Sequence, residues 1–494
     1  MDYLIPQSCY VGKLPVETLS QIFMLAAHGA PNESLQSVAM PHVLASVNLH
    51  WRTVALCNHS LWSSLVIDLQ KVIRKQTSGG LTPLTTMITR SGRSSVDIII
   101  RAQQGPMSGT EEMIRKTDFT KTMFEYADCM PAILNLLLPE VYRWRSLEII
   151  SDTWMPIYSA LQLLNEPRTE SSSALRLESI KLKRTNDFLS HYWLFCPGAM
   201  RMVEGNMFAA LIGATNQDAP VQSPPLPKLR NITLYGVHLN WTNFFRYTLG
   251  ATPNQSPTIS NSIQVLELSH HSGEVRPTSD EFSGILAACP RLKKLVLGVS
   301  GPLTRLSGQV SLPQLQELHY GYGCIGYDVG LFSGLHAPNL IKLGLERRKL
   351  SGARATYSPT QDDGSDDKAD NLLKYCTTHP LFPKLQELSL YNINVPVNTF
   401  ALFFDTIPTL LHLLLHRTPN ALPALLPIQK PSAGAGIPCP ALESIRIFPN
   451  SHKDSLIVTL KGRRSAPRLA DSEWLWEEML EGGIIAFSPC SKVA

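Results

Sequence analysis

The chain has 494 residues, 44% of them hydrophobic, which is enough apolar material for a folded core. Its formal net charge of only +4 argues against a protein that binds nucleic acid through a basic surface. The nine cysteines are scattered singly and no CxxC pair occurs, which argues against a disulfide framework and against a zinc site.

The first segment, residues 1–12, is predicted to be an N-terminal tail. It has no basic region followed by an apolar run, so it does not resemble a secretory signal. The most apolar later stretch, LLHLLLHRTPNALPALLPI from residue 410, is interrupted by His, Arg and Pro. No window reaches the ~20 consecutive apolar residues of a membrane helix. We therefore expect a cytoplasmic or nuclear protein, or one present in both, without a membrane partner.

Residues 13–68 are predicted to form three short helices. In KLPVETLSQIF, Pro15 suits the first helical position and Glu17 the first turn. HVLASVNLHWRTVAL is predicted to be one helix, and SLWSSLVIDL follows after a turn. The apolar residues at helical spacing are Val16, Leu19, Ile22, Phe23, Ala26, Val43, Val47, Trp51, Val54, Leu61, Trp62 and Leu65. Because about fifty residues bury too little surface for comfortable stability, we expect these residues to contact a second surface, in this chain or in another protein.

The order of residues in this segment resembles an F-box. The match consists of Leu14-Pro15-x-Glu17-x-Leu19-x-x-Ile22-Phe23, then Trp51-Arg52, then Leu61-Trp62, and it covers residues 13–68. Asn48 stands where a Cys often occurs in the family. The resemblance implies docking on a Skp-type adaptor, with Trp51 and Trp62 serving as core supports more than as direct contacts. The implied adaptor-binding residues are Leu14, Pro15, Leu19, Ile22, Phe23, Val43, Val47, Trp51, Leu61 and Trp62.

After a linker at residues 69–80, one short pattern recurs across residues 81–470, with apolar residues at positions p, p+3 and p+5. The p+3 and p+5 alternation fits a short strand with one buried face. Many copies follow a proline, and short amphipathic stretches such as SDEFSGILAACP precede it, with Ser279 or Asp280 available as N-cap. The predicted unit is therefore helix, proline stop, strand and turn. Strong copies start at Leu177, Leu229, Ile263, Leu292, Leu315, Leu340, Leu385, Leu410 and Leu442, and weaker ones at Trp144 and Val96.

These copies resemble leucine-rich repeats, whose motif is LxxLxLxxN/CxL. Only the first six positions match well, since Val237, Gly323, Arg348 and Ile393 occupy the Asn or Cys position. The turn amides must then be satisfied by other means. The implied fold class is α/β: an N-terminal three-helix F-box-like unit followed by an irregular leucine-rich-repeat solenoid, with a curved parallel sheet and convex helices. An ordinary α/β core is the alternative explanation of the leucines.

Three segments interrupt or end this array. Residues 351–370 are acidic and polar and are predicted to be a mobile loop. Residues 423–440 are predicted to be a second loop, rich in Pro and Gly. Residues 471–494 are predicted to be a C-terminal cap, with a helix between Ser472 and Gly482 and then a strand.

We find no sequence motif for catalysis, a cofactor or a metal, and expect a non-catalytic protein. The adjacent His270 and His271 are predicted to be turn residues. The strand positions that alternate with the leucines carry mixed charges and aromatic side chains, which suits a protein partner better than a nucleic acid. The candidate residues for binding a protein substrate are Tyr235, Lys294, His319, Glu346, Tyr391 and His416.

The joined resemblances imply a function. F-box proteins with leucine-rich repeats are substrate receptors of cullin–RING (SCF-type) ubiquitin ligases, in which the F-box docks on the Skp-type adaptor and the repeats hold a protein substrate. The alternative is a leucine-rich-repeat scaffold or ligand sensor that engages no ligase. An unrecognised enzyme has little support in the sequence.

Overall fold

A computed structural model describes most of the chain, and the described residues form two compact units. Unit 1 comprises Met1–Asn186 and Met202–Asn231, and unit 2 comprises Asp187–Arg201 and Ile232–Ala494. Each unit is α/β, with a mostly parallel sheet. The described residues are 14–28, 35–74, 80–103, 117–168, 173–185, 194–195, 197–201, 203, 205–212, 225–249, 262–302, 304–323, 329–348, 367–425, 438–448, 456–460 and 484–487.

Unit 1 begins with helices and continues as a parallel sheet in the order β1-β2-β3-β4. Its helices are α1 (Val16–His28), α2 (Leu35–Val47), α3 (Leu49–Cys57), α4 (Leu69–Arg74), α5 (Thr82–Arg90), α6 (Thr117–Leu137), α7 (Trp154–Leu164) and α8 (Ala209–Ile212), with 3₁₀ turns at His59–Trp62 and Leu138–Arg143. Its strands are β1 (Ser64–Asp68), β2 (Val96–Ala102), β3 (Trp144–Ser151) and β4 (Ser179–Arg184). The register puts Leu65, Ile98, Leu147 and Ile180 side by side in the core.

Unit 2 repeats the alternation of helix and parallel strand. Its strands are β5 (Asn231–Tyr235), β6 (Val265–Ser269), β7 (Lys294–Gly298), β8 (Val310–Ser311), β9 (Glu317–Tyr322), β10 (Leu335–His336), β11 (Lys342–Arg347), β12 (Glu387–Tyr391), β13 (His412–His416), β14 (Ser444–Phe448), β15 (Leu456–Leu460) and β16 (Ile484–Phe487). Its helices are α9 (Trp241–Asn243), which continues as a π-helix (Phe244–Thr248), α10 (Ser279–Ala287), α11 (Val329–Phe332), α12 (Asp367–Thr378) and α13 (Val397–Asp405), with 3₁₀ turns at Gly198–Met200, Gly273–Val275 and Pro423–Leu425. From β6 to β14 the large sheet is parallel, β15 joins it antiparallel, and β8 and β10 form a small separate pair.

The p, p+3 and p+5 pattern marks the buried side of these strands. From the Trp144 copy to the Leu442 copy, every side chain at these positions is buried except Ile447, which is partly exposed. The parallel registers align the p+3 residues of neighbouring copies, for example Leu295, Leu318 and Leu343. The pattern therefore predicted both the strands and the face that they bury.

Main-chain hydrogen bonds repeat from copy to copy as well. The amides at p+1 and p+2 both donate to the carbonyl at p+1 of the preceding copy, as those of Lys293 and Lys294 do to Gln264 at 2.8 and 2.9 Å. The same two bonds occur in all six copies from Leu292 to Leu442. Successive copies are therefore equivalent in backbone as well as in side-chain pattern.

The residue at p+7, just after the strand, is left-handed in several copies. Gly236, His270, Val299, Asn392 and Arg417 have φ of 63°, 61°, 60°, 57° and 51°. Their amides donate forward to the next strand, at 2.7 Å from Gly236 to Ser269 and at 2.9 Å from Val299 to Gly321. The Asn of the leucine-rich-repeat motif is absent from most copies, so the turn amides need other acceptors. These main-chain bonds supply them.

Three local predictions need correction. The segment predicted as one helix in HVLASVNLHWRTVAL is two helices, because Asn48 caps a new one. Residues 64–68, assigned to the helical domain, form β1 and pair with β2. The N-cap of α10 is Thr278, not Ser279 or Asp280, and it forms a capping box with Glu281.

Several other predictions fall partly or wholly outside the described residues. These are the tail 1–12, most of the acidic loop 351–370, the middle of the loop 423–440, and Ser472 and Gly482 of the C-terminal cap. The predicted terminal strand corresponds to β16.

Candidate functional site: an apolar helical face and an open sheet face

Helices α1 to α3 and the following 3₁₀ turn, residues 14–62, enclose a small core of their own; we call them the helical unit. Leu19 and Phe23 of α1 meet Leu44 of α2, and Leu61 and Trp62 close the cluster. The Trp62 indole is fully buried, and its Nε1 donates to the carbonyl of Ala55 at 2.8 Å. The Leu-Trp pair is therefore a core element, as predicted for Trp62.

The Trp51-Arg52 pair fixes the junction between α2 and α3. The Asn48 side chain accepts from the amide of Trp51 at 2.8 Å, which begins α3. Arg52 Nε donates back to the carbonyl of Ala45 at 2.9 Å, and the Trp51 ring lies 5.0 Å from the Phe23 ring. Asn48 thus has a local structural role as the cap of α3.

The predicted adaptor-binding residues fall into three groups by exposure. Leu19, Phe23, Leu61 and Trp62 are buried inside the helical unit, so their side chains pack the core and are not available for contact with a partner. Leu14 and Trp51 are partly buried. The exposed members are Pro15, Ile22, Val43 and Val47.

Further aliphatic residues of the helical unit, which the predicted contact set omitted, are also exposed. Leu25 lies one turn after Ile22 and is 72% exposed, and Leu49, directly after the Asn48 cap, is 77% exposed. Of the twelve large hydrophobic side chains exposed in the described part of the chain, seven lie in the helical unit. These seven, which we call the apolar face, are Val16, Ile22, Leu25, Val43, Val47, Leu49 and Leu56. Exposed aliphatic side chains are therefore concentrated in the helical unit, and Val43 and Val47, one turn apart on α2, form the kind of apolar pair that a docking surface uses.

The apolar face carries little charge. Glu17 and Arg52 are the only acidic or basic side chains, histidine aside, that the structure describes between residues 14 and 62. Depletion of charge is a property of interface cores and of long-lived interfaces. The face is therefore suited to an apolar partner surface more than to a charged ligand.

The helical unit is also attached to the rest of unit 1. The Arg90 guanidinium lies 4.5 Å from the centre of the Trp62 ring, and His59 Nδ1 donates to the carbonyl of Arg90 at 2.8 Å. Directly after the unit, β1 pairs with β2. The helices are thus anchored to α5 on one side while the apolar face remains uncovered.

In unit 2, the strand residues that alternate with the buried leucines form an open face. Its lower row, formed by the first residues of β7, β9, β11 and β12, carries alternating charges. Lys294 donates to Glu317 at 2.5 Å, and Lys342 donates to Glu387 at 2.9 Å. The hydrogen bond from Lys342 to Glu387 raises the pKa of the lysine. Because these charges neutralise one another, the row offers no concentrated field for a polyanion.

The upper row of the open face is centred on Glu346. Its carboxylate accepts from His319 Nε2 at 3.2 Å and from Arg348 Nε at 3.0 Å. Burial acts to raise the pKa of Glu346, but the His319 hydrogen bond and the Arg348 charge outweigh burial, so the pKa is lowered. Arg348 also contacts the His270 ring.

Aromatic rings continue this row along the sheet. The Tyr391 ring lies 6.2 Å from His319 and 6.0 Å from His416, which lies 6.2 Å from Phe448. At the opposite end, the Tyr235 and His270 rings are tilted relative to each other, with their centroids 4.2 Å apart. The upper row is therefore a chain of polar and aromatic contacts, in which His270 and His416 are buried.

Of the predicted substrate-binding residues, the structure brings His319, Glu346, Tyr391 and His416 together. His416 is buried, and its ring packs between those of Tyr391 and Phe448. Lys294 lies apart in the lower row, and Tyr235 is at the β5 end. The prediction missed Arg348, Phe448 and the buried His270 because it used the strand pattern alone.

Among the described residues, no three His, Cys, Asp or Glu side chains gather as a metal site would require. None of the helices in the described ranges combines the length and apolar character needed to cross a membrane. The sequence matches no model of a protein family and no curated protein.

Proposed function

We propose that this protein is the non-catalytic substrate receptor of a cullin–RING ubiquitin ligase. The helical unit docks on a Skp-type adaptor, and the open face of unit 2 binds a protein substrate in the cytoplasm or nucleus. The observation that carries the proposal is the apolar face. A small independent core presents seven exposed aliphatic side chains and almost no charge, in the segment whose sequence resembles an F-box.

The residues assigned to adaptor contact are chosen by their exposure. Ile22 is 43% exposed, and Val43 and Val47 are 52% and 53% exposed, so each can enter a partner's groove without repacking the helical unit. Leu25 and Leu49 join them. Leu19, Phe23, Leu61 and Trp62 support the face from beneath, and their loss would affect docking only through folding.

The test is co-purification of the full chain with a recombinant Skp-type adaptor. We expect wild type to bind and both Ile22→Asp and Val47→Asp to weaken binding about tenfold or more, because a charge is placed in an apolar interface core. Leu402→Asp is the matched control, since Leu402 is an aliphatic residue of α13 with a similar exposure of 48%.

Thermal melts of the three variants should match wild type, since all three sites are exposed. Failure of wild type to bind an adaptor, or equal binding by Ile22→Asp and Leu402→Asp, contradicts the proposal. Deleting residues 1–68 is a weaker test, because the deletion removes β1 from the sheet.

A scaffold or ligand sensor without ligase function is the second candidate. It is favoured by the contacts of Arg90 with Trp62 and His59, which would suit helices whose only task is to cover the first strands of unit 1. If this alternative is right, Ile22→Asp and Val47→Asp leave the set of proteins that bind the chain unchanged.

A further inference from the structure

A cavity of about 500 Å³ lies in unit 1 among helices α4, α5 and α6. Its size falls in the range of about 300–1,000 Å³ that is usual for small-molecule sites. On α6, the lining side chains are small and three residues apart, so they lie on one side of the helix and leave space beside it. The cavity walls include Val72 of α4, Leu81, Thr82 and Thr85 at the start of α5, and Cys129 and Ala132 of α6.

The cavity has an open mouth and a buried end. Thr82, Thr85 and Ala132 are exposed, whereas Cys129 is only 8% exposed. A small molecule can therefore enter from solvent between α5 and α6 and reach the Cys129 thiol.

The lining suits a neutral and mostly apolar molecule. None of the described residues that line the cavity has an acidic or basic side chain. Burial raises the pKa of the Cys129 thiol, so the thiol is neutral at physiological pH. The Thr85 hydroxyl already donates to the carbonyl of Leu81 at 3.2 Å. A charged ligand would lose hydration in this cavity without gaining a partner of opposite charge.

We propose that this cavity is a binding site for a small, neutral, mostly apolar molecule. Such a ligand is held because it displaces water from the aliphatic walls. Because Thr82 and Thr85 belong to α5, the ligand also stabilises the helix whose last residue, Arg90, contacts Trp62 of the helical unit. The lining residues themselves lie outside the helical unit, so the site does not depend on adaptor docking.

The first measurement is thiol accessibility in the folded full chain. Methyl methanethiolsulfonate is a small neutral reagent: a cysteine thiolate attacks its thiomethyl sulfur, forms a mixed disulfide and expels methanesulfinate. Peptide mass spectrometry then reports the modification of each cysteine. We expect the exposed Cys57 and the cavity residue Cys129 to be modified. Cys376 should stay unmodified, because it is buried, its pKa is raised to about 12 and it does not line this cavity.

The second measurement is protection of Cys129 by a bound probe. The probe is phenylnaphthylamine, which is neutral and apolar, and its matched control is anilinonaphthalene sulfonate, which has the same rings and one negative charge. At about ten times its Kd, phenylnaphthylamine should slow the modification of Cys129 about tenfold and leave that of Cys57 unchanged. The sulfonate should give no protection.

A cavity-filling variant completes the test. Ala132→Trp should block both reagent and probe, so that Cys129 stays unmodified. Ala287→Trp, at an exposed alanine of α10, is the matched control and should behave as wild type does.

The proposal is overturned if Cys129 of wild type resists the reagent as Cys376 does, or if the neutral probe leaves its modification unchanged. Both results come from wild type and need no variant to fold. Modification of Cys129 in folded Ala132→Trp at the wild-type rate also overturns it. Adaptor co-purification of Ala132→Trp should match wild type, so this proposal and the ligase proposal fail separately.

Discussion

His238 and His271 are buried in unit 2 as neutral rings. Burial lowers the pKa of His238 to about 4 and that of His271 to about 3, well below the ordinary value of 6.5. The sequence predicted only that His271 is a turn residue. It could not show that Val237 of the preceding copy and Ser300 of the next lie on either side of the ring, because that contact depends on how the loops of three copies come together.

This burial gives a pH dependence with a defined sign. Below about pH 6.5 the unfolded chain binds a proton at His238 that the folded chain does not bind until about pH 4. The free energy of unfolding should therefore fall as the pH drops through this window, by about 1.4 kcal/mol per pH unit from this residue. Above pH 6.5 the contribution is fully present and constant.

Urea denaturation between pH 7 and pH 4.5 measures the effect. His238→Gln should flatten the profile relative to wild type, whereas His379→Gln, at an exposed histidine, should follow it. Parallel profiles for wild type and His238→Gln would contradict the assignment.

For single helices and strands, the sequence predicted the elements that have a periodic apolar pattern. It missed a boundary that depends on one side chain, the cap at Asn48. The p, p+3 and p+5 leucines identified the strands and their buried face because a period of two needs no tertiary information. The break at Asn48 went unpredicted because apolar residues keep helical spacing on both sides of it. The helical stripe of α1 also divides, with Leu19 and Phe23 facing inward and Val16 and Ile22 outward, and spacing alone does not tell these faces apart.

The left-handed p+7 position makes a prediction about strand ends. Val299 is β-branched and adopts φ of 60°, a conformation that costs such residues about 1–2 kcal/mol and that glycine adopts freely. The greater conformational freedom of glycine in the unfolded chain offsets part of the stability gained by relieving this strain. Val299→Gly should therefore raise the free energy of unfolding, by about 1 kcal/mol or less.

Gly236 occupies the equivalent p+7 position with φ of 63°, so a substitution there tests the reverse change, from glycine to a residue with a side chain. Gly236→Ala should lower stability by about 1 kcal/mol. Chemical denaturation of both variants measures the difference. A destabilised Val299→Gly would show that side-chain packing outweighs backbone strain there.

Across the whole molecule, the chain combines strand copies that share one apolar pattern with the helical unit, which does not have that pattern. The copies are predictable because each presents the same apolar positions to its neighbours. The helical unit is predictable in outline only, since the residues of its F-box-like pattern divide between core and surface. Ile22 and Val47 are exposed and Trp62 is buried, and the helical period of the sequence does not reveal this difference.

Docking of the helical unit on a Skp-type adaptor can be measured by hydrogen–deuterium exchange of the full chain with and without purified adaptor. If the helical unit docks, exchange in the peptides of α1, α2 and α3 should slow on addition of adaptor, and the peptides of unit 2 should be unchanged. No change in these helices, or protection confined to the strands of unit 2, would contradict it.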